Sequence, residues 1–149
     1  MSKKIVLAGL LAVFTIVLSS IAYSEVLINE ILANGIIEPD SEWVELFNNG
    51  STGVNLTNFN ISETASSNFT LNATIPAKGF IVLVQNFMLF NLTFPAVNQS
   101  GVRIVEYGLT VSNFQLSNTN GVVVLYNSSG DKTDTIAYAQ SSSTQENIS

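Results

Sequence analysis

The chain has 149 residues, 46% of them hydrophobic, with no Cys, no His, and a formal charge of −6 from 5 basic and 11 acidic side chains. Without thiols there are no disulfides, and without imidazoles as well the usual nucleophile–base pairs and soft-metal ligands are missing. An acidic chain also lacks the Lys and Arg that displace counterions from a phosphate backbone, which excludes nucleic acid as a partner.

Residues 1–24 read as a signal peptide that enters the membrane as a helix. Lys3 and Lys4 form a short basic start, Ile5 to Leu18 is apolar, and Ala22-Tyr23-Ser24 offers small residues at the cleavage positions, so cleavage is expected before Glu25. The alternative is a retained anchor, because the apolar run extends to Ile21. It is slightly short for a bilayer span and is softened by Gly9, Thr15, Ser19 and Ser20. Membrane contact is therefore expected only through an uncleaved leader, and the location is secreted or on the cell surface. Losing the leader leaves Lys78, Arg103 and Lys132 against eleven acids, a net charge of −8.

From residue 25 to 139 the pattern is that of short strands with alternating polarity. The candidates are Val26 to Ala33, Trp43 to Asn48, Asn55 to Ile61, Asn68 to Leu71, Phe80 to Gln85, Val102 to Tyr107, Gly121 to Tyr126 and Thr133 to Tyr138. Asn49-Gly50, Ala77-Lys78-Gly79, Asn120-Gly121 and Ser129-Gly130-Asp131 supply turn chemistry between them. Strands this short and this regularly spaced predict an all-β sandwich or barrel. The long connection Asn86 to Gln99 contains Phe87-Met88-Leu89-Phe90, which reads as one helical turn over an open end. Residues 140–149 form a polar tail. A final strand at Thr133 to Tyr138 would leave an open edge, so either Gln145 to Ser149 begins a further, truncated strand or another polypeptide covers that edge.

Asn-x-Ser/Thr acceptor sites begin at Asn49, Asn55, Asn60, Asn68, Asn72, Asn91, Asn98, Asn127 and Asn147. The Asn, Ser and Thr content predicts roughly three to four by chance. Nine, behind an export signal, point to a glycosylated surface protein, although turns and exposed strand faces also favour these residues. Other candidate sites are sparse. Glu30 and Glu45, with Asp40, Glu42 or Glu63, are the candidates for a hard cation such as calcium, the only cofactor entertained. The preferred reading is structural, with each Glu accepting backbone N–H bonds at strand ends. Trp43, Phe47 and Phe59 suggest either a carbohydrate-stacking strip or core packing, and the core is preferred for Trp43. Asp131 reads as a turn residue and Asp134 as a cap for backbone amides. No catalytic or cofactor-binding constellation is present, so the chain is not expected to be an enzyme.

Several blocks in order then resemble the lamin tail domain family. They are Val26-Leu27-Ile28-Asn29-Glu30-Ile31, Glu42-Trp43-Val44-Glu45-Leu46-Phe47-Asn48, Val54 to Ser62, Ile75-Pro76-Ala77-Lys78-Gly79-Phe80, Leu116 to Gly121, Leu125 to Gly130, and Asp134 with Tyr138. Two departures stand out. Val122 replaces an Asp common in the family, and the family's Gly-Arg, Trp and Pro-Gly closing segment is not found before Ser149. The resemblance implies an immunoglobulin-like antiparallel β-sandwich over residues 25–139. It also implies a non-catalytic module contacting proteins or glycans on a cell envelope, and the Cys-free, sequon-rich composition of the exported chain looks like that of archaeal envelope proteins. The alternative is a targeting domain of a larger secreted hydrolase, a nuclease or phosphoesterase, of which this chain would be a fragment.

Overall fold

Ladders of alternating apolar residues build the body of the molecule, and a computed structural model describes residues 25–35, 37, 40–64, 66–108 and 113–139. The expected leader over residues 1–24, the tail at 140–149 with its sequon at Asn147, and the further strand from Gln145 lie outside the described residues. In chain order the elements are β1 (Val26–Leu32), β2 (Trp43–Asn48), β3 (Val54–Asn55), β4 (Asn60–Thr64), β5 (Ser67–Thr70), β6 (Thr74–Ile75) and β7 (Phe80–Val84). Helices α1 (Phe87–Thr93) and α2 (Pro95–Gln99) follow, then β8 (Arg103–Glu106), β9 (Asn120–Tyr126) and β10 (Lys132–Ala139).

The strands form two four-stranded sheets, β1-β2-β7-β8 and β10-β9-β4-β5, with a small β3-β6 ladder beside them. The first sheet turns Val26, Ile28, Val44, Leu46, Ile81 and Leu83 inward, and the second turns Ile61, Phe69, Val123 and Leu125 inward to meet them. Burying these side chains removes apolar surface from water at about 25 cal/mol per Å2, and this is what holds a cysteine-free sandwich together. The immunoglobulin-like all-β sandwich is the fold expected from the sequence.

Four details differ from the sequence expectation. The run Asn55 to Ile61 is two strands, because Asn58 adopts the left-handed conformation at φ 66° and turns the chain between β3 and β4. Strand β6 was not anticipated. The connection after β7 holds two helices rather than one turn: Asn86 Oδ1 caps α1 by accepting from Leu89 N at 3.2 Å, and Pro95 starts α2. This crossover explains the fourth difference, since it is long enough to bring β8 back parallel to β7, whereas the other pairings are antiparallel. No helix among the described residues is long and apolar enough to cross a membrane.

A β-bulge sets which way the first acidic residue points. Ile28 pairs with Leu46 and Glu30 with Glu45, leaving Asn29 unmatched. Strict alternation from Val26 and Ile28 would send Glu30 into the core. The extra residue instead puts Ile31 inward and Glu30 outward. A second bulge at Thr133 lies in β10, between the pairs Lys132–Tyr126 and Asp134–Leu125. The edges of the two sheets meet here: Ile28 N donates to Asp134 Oδ2 at 2.7 Å. The edge of the last strand, expected to be open, thus lies against β1, its Asp134 carboxylate accepting from the Ile28 N–H of β1.

Candidate functional site

Two sets of polar side chains divide the molecule. On the inward side, Glu42 is in phase with Val44, Leu46 and Asn48 and is only 1% exposed. Its Oε2 accepts from Leu116 N at 3.1 Å. Glu63 on β4 accepts from the next amide, Ser117 N, at 2.8 Å. The Tyr138 hydroxyl lies 2.5 Å from Glu63 Oε1 and 2.9 Å from the Ser117 carbonyl, sharing one proton between two acceptors. Burial first, then the Glu63 carboxylate, pushes the Tyr138 phenol well above its ordinary range. Gly121 sits opposite Tyr138, where a Cβ would lie 2.1 Å from Glu63 Oε1 and 2.6 Å from the Tyr138 hydroxyl. Asn48, fully buried, plays the same kind of part at the other end of β2. Its Nδ2 donates to Thr52 O at 2.7 Å and Pro76 O at 2.9 Å, and its Oδ1 accepts from Gly50 N at 2.8 Å. These side chains fix loops by charge-assisted or amide hydrogen bonds. Neither role is expected from the sequence, where Asn48 is one strand residue among others and Glu42 only an additional candidate cation ligand. The available signal was their phase, shared with the buried Val44 and Leu46.

The other set lies on the outer face of the first sheet, which α1 and α2 cover in part. Val82, Val84 and Phe90 form a second small core there, with Trp43, Phe94, Val97, Val102 and Ile104 packed around it. Trp43 stands nearly perpendicular to Phe90, at 6.4 Å and 79°, and to Phe94, at 6.2 Å and 82°. Beside these rings Glu30 and Glu45 face outward as cross-strand partners. Both line a cavity of about 230 Å3 together with Trp43, Val82, Phe90, Phe94 and Val97. Glu45 Oε1 accepts from Asn29 Nδ2 at 2.7 Å, the bulge residue itself. Among the described residues no Lys or Arg pairs with either carboxylate; Lys78, for one, donates to Asn49.

Phe94 also borders a larger groove of about 510 Å3 between α1 and the β1–β2 loop. Leu32, Ile37, Leu89 and Leu92 give it apolar walls, and Asn34 and Ser41 supply polar atoms. Two of these walls stand in water, Leu92 79% exposed and Ile37 51%, and Met88, one turn before Leu92 on α1, is 80% exposed. An exposed apolar cluster of this kind, rimmed by polar groups, is what binding surfaces look like.

The five acidic residues considered for calcium do not converge. Glu30 and Glu45 share the outer face, Glu42 points inward, Glu63 belongs to the other sheet and Asp40 sits in the β1–β2 loop. Among the described residues no three His, Cys, Asp or Glu side chains are placed to hold a metal ion. Glu30 and Glu45 lie within the sheet and not at its end. The three aromatic candidates also separate. Trp43 is beneath the helices, Phe47 stacks on Phe80 at 4.7 Å farther along the outer face, and Phe59 packs against the main core. Asp134 bonds the Ile28 amide, and Asp131 N donates to Asn127 Oδ1 at 2.9 Å in a hairpin turn. Of the sequon asparagines, Asn49, Asn55, Asn68, Asn72 and Asn98 are exposed, and Asn60, Asn91 and Asn127 are half-buried. Asn127 has a visible structural use, since its amide holds that turn. Asn98 Nδ2 donates to Asn91 Oδ1 at 3.0 Å, linking α2 to α1.

No curated protein matches the chain. A family model does, that of the Lamin Tail Domain, over residues 19–140. That family consists of non-enzymatic, immunoglobulin-like domains. The two-sheet sandwich, with β2 and its preceding Glu42 and with β10 carrying Asp134 and Tyr138, falls inside the match, and this chain belongs to the lamin tail domain family.

Proposed function

We propose that the chain is an exported, non-catalytic binding module that holds a protein partner on the cell envelope through the end formed by α1 and the β1–β2 loop. The observation that carries this reading is the exposure of Leu92 and Ile37 on the walls of one groove, with Met88 exposed one turn earlier on α1, apolar surface that contact with water does not favour. Apolar walls suit the side chains of a polypeptide better than the hydroxyls of a sugar. The export signal and the row of surface sequons support a location outside the cell, where an acidic charge keeps the module soluble.

Photocrosslinking on intact cells tests this. A photoreactive residue at Leu92 is expected to give one discrete adduct with an envelope protein. The same residue at Val122, 48% exposed on the outer face of the other sheet, is expected to give none. Equal labelling from both positions, or none from Leu92, would overturn the reading.

A further inference from the structure

We propose that the cavity lined by Glu30, Glu45, Trp43, Phe90 and Phe94 receives the ammonium group of a lysine side chain from the partner polypeptide. This rests on the binding-module reading and names the chemistry that the module recognises. Three observations point to a cation of organic type. First, Glu30 and Glu45 are directly opposed on antiparallel strands and project from one face, so their like charges repel each other, and no cation among the described residues relieves them. A neutral sugar entering the cavity would leave that repulsion in place, whereas an ammonium group removes it. Second, the remaining walls are aromatic and aliphatic, with Trp43 nearly perpendicular to Phe90 and Phe94. Calcium needs six to eight oxygens, which these walls do not offer. An alkyl-ammonium suits them, since its methylenes contact Val82 and Val97 and its charge is attracted by the rings and the carboxylates together. Third, the cavity adjoins the apolar groove across Phe94, so residues flanking the lysine would find apolar walls in the same face. The net charge of −6 favours a basic partner in the same sense.

The chain's only Trp is a wall of the cavity and reports on it directly. The experiment titrates the whole protein with Nα-acetyl-lysine methylamide, with its uncharged analogue Nα-acetyl-norleucine methylamide, with tetramethylammonium and with calcium, all at constant ionic strength. Trp43 fluorescence and its indole N–H resonance are followed. The lysine compound is expected to give a saturable change in the millimolar range, at least tenfold weaker in Glu45→Gln and in Glu30→Gln. Glu30 is exposed, so its variant keeps the fold and the comparison remains valid if Glu45→Gln does not. An equal response to norleucine, a response to calcium alone, a stronger response to tetramethylammonium than to lysine, or lysine binding unchanged in Glu30→Gln would each overturn the proposal. A failed titration beside intact Leu92 crosslinking removes the lysine pocket and leaves the module. A successful titration without crosslinking does the reverse.

Discussion

Glu42 with Glu63, and Glu30 with Glu45, are two pairs of carboxylates in one small sandwich, and their surroundings are opposite. The first pair accepts the consecutive amides of Leu116 and Ser117 and anchors the segment leading into β9. The second pair is held at cross-strand distance with only an asparagine amide bonded to Glu45. Burial and bonded donors make the first pair part of the fold, whereas the second contributes repulsion that folding alone has no use for. A charge that works against the domain's own stability is one that a bound cation would relieve, and on this ground the proposed binding surface is the outer face and not the inner one.

The sharpest way to break this contrast is to truncate one member of each pair. Glu42→Ala leaves the Leu116 amide unbonded in a closed interior and opens a small void, so a loss of about 3 kcal/mol is expected in urea unfolding. Glu45→Ala is expected to shift the midpoint far less. Similar losses at the two sites would erase the distinction. The pH dependence separates the regions more finely. Because the folded Tyr138 phenol is raised above its unfolded value near 10, the native state binds the proton more tightly. Its contribution is complete below about pH 10 and is lost as pH rises above it. Wild-type stability is therefore expected to fall more steeply between about pH 10 and 11.5 than that of Tyr138→Phe, as read from urea unfolding at each pH. Parallel profiles would show that the phenol does not titrate between the two states.

Much of this architecture was legible in the chain. Alternation and turn chemistry marked most of the strands, the lamin-tail resemblance chose a two-sheet sandwich over a barrel, and the phase of Glu42 with Val44 and Leu46 carried its burial. What was not legible came from single residues that change the phase or direction of a strand. Asn29 looks like any polar strand residue, yet as a bulge it decides that Glu30 faces solvent. Asn58 divides one apparent strand into two through its positive φ. The cavity needs α1 and α2, which carry no acidic residue in the first turn and no basic residue in the last to announce them. Its walls also come from four separate elements, β1, β2, β7 and the helical crossover, and that juxtaposition exists only in the fold.

The smallest effect is the most discriminating, because its sign is opposite. If Glu30 and Glu45 repel each other across the strands, Glu30→Gln should raise stability, by about 0.5 kcal/mol at low ionic strength. The gain should shrink toward zero at about 1 M salt, where the screening length falls to about 3 Å. Adding Glu45→Gln should then bring less than the sum of the two single changes, since either one alone already removes the repulsion. Urea midpoints of the four proteins at two salt concentrations measure all of this. A destabilised Glu30→Gln, or a gain indifferent to salt, would mean that the outward pair is bonded into the fold as firmly as Glu42, leaving no unrelieved charge for a ligand to satisfy.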